Sequence, residues 1–140
     1  MDIDKMIKDA ILEKNSAKKE AYRAIKAELL LITTGKNAPS TIDEATEVKV
    51  IRKLISQREE SISMYEANSR QELADMYKEQ NKYLKELLPP DISKDDIKNT
   101  IYGLYPNGFS KKEIGKVIKS VKEIYPTADS KIIAKIINEN

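Results

Sequence analysis

Only four glycines and five prolines interrupt the 140 residues, and they fall between periodically apolar segments, with Gly115 the one notable exception. Helix interiors exclude both types: proline lacks an N–H and clashes with the preceding turn, and glycine costs about 1 kcal/mol relative to alanine. Punctuation this sparse predicts an all-α protein.

The apolar spacing places the helices. Ile3, Met6, Ile7, Ala10 and Ile11 recur every three or four residues as a first helix. Ser16 is positioned to cap a second, with Tyr22, Ile25, Leu29 and Ile32 as its stripe and Gly35 as its end. Thr41 and Glu44 have capping-box spacing and open the longest periodic run, in which Val48, Ile51, Ile55 and Ile62 share one face. Ser69 and Glu72 form a second box, followed by Leu73, Met76, Tyr77, Leu84, Leu87 and Leu88 and then the stop Pro89–Pro90. Two long helices joined by a short turn at Asn68 are expected to lie antiparallel.

Beyond the double proline the periodic units shorten, to Ser93 through about Leu104, Ser110 through Tyr125 and about Ser130 through Asn138, with Ser110 and Glu113 a third box. The expected organisation is therefore a helical bundle over 1–90 with a long antiparallel hairpin, and a three-helix subdomain over 91–140, with the boundary at 89–92. Residues 1–90 carry 16 basic and 16 acidic side chains, and residues 91–140 carry 9 and 7, so the whole excess of +2 lies in the tail. Any polyanion-binding surface must be local.

The chain has no Cys, His or Trp. It therefore cannot build a Ser-His-Asp or Cys-His nucleophile, a histidine base, or a Cys/His zinc site. The paired acids Asp43–Glu44, Glu59–Glu60 and Asp95–Asp96 are adjacent, and adjacent side chains on a helix diverge by about 100°, so they do not converge on one ion. No enzyme activity, metal or cofactor is expected. The charged N-terminal stretch MDIDKMIKDAILEKN has no apolar signal region, and the longest aliphatic run, Leu29 to Ile32, is far too short for a membrane span. A soluble, cytoplasmic protein that does not engage a membrane is the expectation.

Four patches, in order, carry a family resemblance. Residues 50–62, with Tyr65–Ala67 and Arg70–Asp75, look like the central hairpin of the GatB/YqeY family, and Tyr83–Pro90 like its leucine-proline helix end. Glu113–Val117 resembles its MGKVM segment, and Ala128–Lys131 its turn before the last helix, with Ser130 where the family often has Gly. The loop Tyr105–Gly108 also differs from the family's usual short linker. The resemblance implies an all-α fold with an N-terminal bundle and a C-terminal three-helix subdomain. It further implies kinship with the tail of the B subunit of the tRNA-dependent amidotransferase. That tail is a tRNA-binding appendage, while the amidation chemistry resides in other parts of the enzyme that have no counterpart here.

On that basis tRNA or another RNA is the expected partner, and a protein partner held by the 41–88 hairpin is the alternative. Lys112, Lys116 and Lys119 fall within about 60° on a helical wheel, flanked by Lys111 and Lys122, and oppose Ile114, Val117, Ile118, Val121 and Ile124. The 111–122 window holds five Lys and one Glu, a local charge of +4. With Lys131 it forms the candidate phosphate-contacting surface, and the plain alternative is a solvated helix face. Tyr102 and Tyr105 nearby are candidates for base stacking, against the plain reading that they are core. Arg58 is expected to pair with Asp75 across the hairpin and fix its register. Gly115 is expected to mark close packing against a neighbouring helix, or else to bare the backbone to RNA.

Overall fold

The computed structural model describes residues 1–139, and these contain helices and no strand. In order they are α1 (Ile3–Leu12), α2 (Ser16–Thr34), α3 (Glu44–Ala67), α4 (Gln71–Glu86), α5 (Lys94–Leu104), a 3-10 turn (Lys111–Glu113), α6 (Ile114–Ile124) and α7 (Ser130–Asn138). The chain divides after Leu88 into two compact units.

In the first unit α1 packs on α2, α2 on both α3 and α4, and α3 on α4. Ala10, Ala21, Ile25, Ile51 and Leu84 meet in the core with at most 1% exposure. Small residues at 10 and 21 let the helices approach, and branched residues fill the space between them. In the second unit α5, α6 and α7 contact one another around a separate core of Ile97, Val117, Val121, Ile133 and Ile136.

The helix ends follow a different chemistry from the expected boxes. Asn15, not Ser16, caps α2: its side-chain oxygen accepts from the Lys18 amide at 3.0 Å, and its side-chain nitrogen donates to the Tyr83 hydroxyl of α4 at 2.9 Å. One asparagine thus ends a loop and ties it to a distant helix. Asp43, not Thr41, caps α3, accepting from the Thr46 amide at 2.8 Å. Hydrogen bonds from the Thr46 side chain and backbone lower the Asp43 pKa. That contribution is full above the carboxyl's unfolded pKa and is lost as pH falls through the lowered folded value.

Gly35 ends α2 with an extended backbone (φ −71°, ψ 165°), and the left-handed residue of that loop is Asn37 at φ 62°. The box at Ser69 is not formed either. Ser69 is left-handed at φ 59°, its amide bonds the Glu66 carbonyl, and the Arg70 amide bonds the Tyr65 carbonyl at 2.7 Å. These are the paired bonds of a Schellman motif, so Ser69 closes α3 rather than opening α4, whose N-cap Arg70 makes no side-chain cap bond. Lys14, at φ 58°, closes α1 in the same way. Ser93 does cap its helix, accepting from the Asp96 amide at 3.0 Å. Ser110 makes no cap bond to the backbone, and its hydroxyl only approaches Glu113 at 3.5 Å.

A non-glycine residue in the left-handed region costs about 1–2 kcal/mol. Ser69→Gly is therefore expected to stabilise the protein by about 1 kcal/mol in urea unfolding, whereas removal of a capping serine would destabilise it.

Candidate nucleic-acid interface

The surface of interest is built by α6. Val117 and Val121 are fully buried, which leaves Lys112, Lys116 and Lys119 exposed on the other side. The segment begins as a 3-10 turn, and Ser110 before it makes no side-chain cap bond. In 3-10 geometry residues three apart eclipse, so Lys111 lies close to Ile114 at the flank of the lysine stripe. The stripe is therefore Lys112, Lys116 and Lys119, with Lys122 half-buried at its side and Glu123 at its C-terminal end. The Ser120 hydroxyl donates to the Lys116 carbonyl at 2.9 Å and lies 3.3 Å from the Tyr105 hydroxyl, which pins the preceding loop to the helix. Lys131 sits on α7, exposed and opposite that helix's buried Ile133, Ile136 and Ile137.

Ion pairs hold part of the lysines, and among the described residues Lys5, Lys8, Lys14, Lys36 and Lys49 of the first unit make none. In the first unit Lys18, Lys26, Lys53, Lys78 and Lys85 each lie within 4.0 Å of a carboxylate. In the second unit, among the described residues, Lys94 pairs with Glu139. Among the described residues, none of Lys111, Lys112, Lys116, Lys119, Lys122 and Lys131 has such a pair. The carboxylates nearest the stripe in sequence, Glu113 and Glu123, do not close on it. The positive charge of this face is thus left to solvent and to whatever binds there.

Gly115 lies among these lysines, and the structure overturns the expectation of close packing. A Cβ built on it meets nothing within 4 Å. Of the two aromatic candidates, Tyr105 is committed to the fold by its Ser120 contact and by an edge-to-face contact with Phe109 at 5.7 Å. Tyr102 is 73% exposed.

Arg58 does not find Asp75. Its Nε donates to the buried Gln80 side-chain oxygen at 3.0 Å, and its guanidinium lies 5.8 Å from the Tyr77 ring centre. Asp75 instead accepts from Gln71 one turn earlier on α4, at 2.7 Å. The reason is register: the hairpin folds about Ser69, which sets residue 58 opposite residue 80 and leaves residue 75 nearer the turn. Burial lowers the Arg58 pKa from its ordinary value. The Asn81 side-chain nitrogen, next to Gln80, donates to the Ile55 carbonyl at 3.2 Å, so a polar seam runs between the two long helices.

Two of the three adjacent acid pairs serve helix starts, while Glu59 and Glu60 lie within α3, where Glu59 pairs with Lys85. Asp43 caps α3, and Asp95 and Asp96 occupy the first turn of α5, where the helix dipole favours them. No group of three or more acidic residues among those described could hold a metal ion, and no described helix is long and apolar enough to cross a membrane.

The model of the YqeY-like protein family matches residues 1–140. The chain belongs to the YqeY-like family. The altered inheritance of mitochondria protein 41 of Candida glabrata, described as mitochondrial, is 33% identical over 100 residues, an alignment covering 69% of this chain and 54% of that protein. The YqeY-like chain thus spans about half the length of this relative.

In this YqeY-like chain the patches that carried the resemblance occupy α3, the α3–α4 turn, the end of α4, the start of α6 and the turn into α7. Sequence reading missed Lys98, which stands one helical turn before Tyr102 on α5. The four-residue spacing was the available signal.

Because the Gly115 position is open, Gly115→Ala is expected to raise stability by up to about 1 kcal/mol in thermal unfolding. A residue needed for helix contact would instead destabilise on gaining a methyl group.

Proposed function

We propose that this YqeY-like protein is a non-catalytic RNA-binding protein that holds a phosphate backbone on the outer face of α6. Lys112, Lys116 and Lys119 are the central contacts, and Lys111, Lys122 and Lys131 flank them. The supporting observation is that these lysines are exposed or half-buried and lack ion pairs among the described residues, whereas many lysines of the first unit are paired. Each lysine that meets a phosphate releases a condensed counterion, and that release is available only to charges not already neutralised. Transfer RNA is the proposed RNA and tRNA-dependent amidation the proposed setting, on the likeness of the four sequence patches to the amidotransferase tail. The proposed compartment is the cytoplasm, and the name of the Candida glabrata relative makes mitochondria the point of comparison.

A second reading is a protein–protein adaptor on the hairpin. Met64 and Met76, 56% and 45% exposed, lie on either side of the α3–α4 turn near the stacked Tyr65 and Tyr77 rings. Exposed methionines of this kind recur at adaptable binding surfaces.

The test is tRNA affinity of the wild type and of the Lys112→Glu/Lys116→Glu/Lys119→Glu variant across a salt series. The wild type is expected to bind with a steep salt dependence. The variant is expected to lose at least about tenfold in affinity and to flatten the log–log slope by about 2–3, for three lost phosphate contacts. Undetectable wild-type binding, or equal binding by the variant, contradicts the proposal.

A further inference from the structure

The second unit contains a groove of about 850 Å³ between α5, the 105–110 loop, the start of α6 and the end of α7. Its size falls within the range of roughly 300–1,000 Å³ typical of small-molecule sites. Ile101, Ile114 and Ile137 line it alongside the Tyr105–Phe109 pair, and the exposed Tyr102 lies on α5 beside it. Among the described residues its lining includes two lysines, Lys98 and Lys111, and no carboxylate.

This combination is specific in what it accepts. An exposed tyrosine ring beside an apolar wall suits a flat π-face, and sequence-tolerant stacking of bases on aromatic rings is the usual basis of single-strand binding. Lys98, one helical turn from Tyr102, and Lys111, from the 3-10 turn, supply positive charge; the acid that Lys98 faces, Glu139, is itself paired with Lys94. Neither has an ion pair among the described residues. Lys111 also adjoins the stripe of Lys112, Lys116 and Lys119, with the open Gly115 backbone between them.

We infer that the groove takes an unpaired nucleotide of an RNA strand, with its base against Tyr102 and the apolar wall and its phosphate between Lys98 and Lys111. This rests on the RNA-binding reading of α6 and extends it. The stripe follows a paired backbone, and the groove receives a nucleotide that leaves the pairing. A partner recognised in this way is an RNA with a single-stranded end or bulge beside a duplex.

The test compares two probes by fluorescence anisotropy on the full chain: a blunt RNA duplex, and the same duplex carrying a four-nucleotide 3′ overhang. The wild type is expected to bind the overhang probe at least fivefold more tightly. Within each variant the ratio of the two affinities is the readout. Tyr102→Ala is expected to reduce the ratio to one, and Tyr102→Phe, which keeps the ring, to preserve it. Lys98→Gln/Lys111→Gln is expected to lower both the ratio and its salt dependence. Equal wild-type affinity for the two probes overturns the groove inference while the lysine stripe stands. Binding of neither probe overturns both. Tyr102-dependent binding of an acidic amphipathic peptide, without any overhang preference, overturns the nucleotide as occupant in favour of a protein segment.

Discussion

Val117 and Val121 are completely buried, and their burial fixes the rotation of α6 about its own axis. A helix of eleven residues has one stripe to bury, and every other position follows from that choice. Once the two valines meet Ile133 and Ile136 of α7 and Ile97 of α5, the lysines at 112, 116 and 119 must face solvent. The same constraint orders the first unit, where Ile51, Leu54 and Ile55 of α3 turn inward towards Ile25 and Leu84 and leave the charged arcs outside. Hydrophobic burial, at about 25 cal/mol per Å² of apolar surface, sets the orientation, and the charge pattern is its consequence.

Charges are then treated differently in the two units. In the first, exposed pairs such as Lys26 with Asp4 and Lys53 with Glu28 link neighbouring helices. Each is worth little in stability at the surface. In the second unit Glu139 pairs with Lys94, while three of the acids stand at helix starts, Asp95 and Asp96 in the first turn of α5 and Asp129 capping α7. There they serve the helix dipole and leave the lysine face of α6 uncompensated.

The periodic stripes were legible in part, because burial acts through a three-to-four-residue repeat that any one helix displays, but Ile11, Met76 and Ile124, which the spacing puts on stripes, are 52%, 45% and 50% exposed. Val48, Ile51, Ile55 and Ile62 are all buried as their spacing implied. The helix ends were less legible. Ser69 and Glu72 match a capping box, yet the chain uses Ser69 as a left-handed closing residue, and a serine gives no sign of positive φ. Asn15 and Asp43 cap the helices where spacing points to Ser16 and Thr41, because several polar residues stand together there and local pattern does not rank them. The Arg58 partner was misassigned because it depends on where the turn folds, and a shift of that point moves every opposing pair.

In the candidate site, the lysine stripe was readable from spacing alone. Two features were not. The 3-10 start that sets Lys111 at the groove is not written in the spacing, and the open surroundings of Gly115 depend on what does not pack there. The central claim, that RNA binds on one continuous surface of the second unit, is tested most directly by amide chemical-shift mapping of the full chain during titration with a duplex–overhang RNA. The account predicts shifts concentrated in α5 near Lys98–Tyr102 and in residues 108–122, with the α3–α4 hairpin unmoved. Shifts confined to the hairpin, or none at saturating RNA, would contradict it.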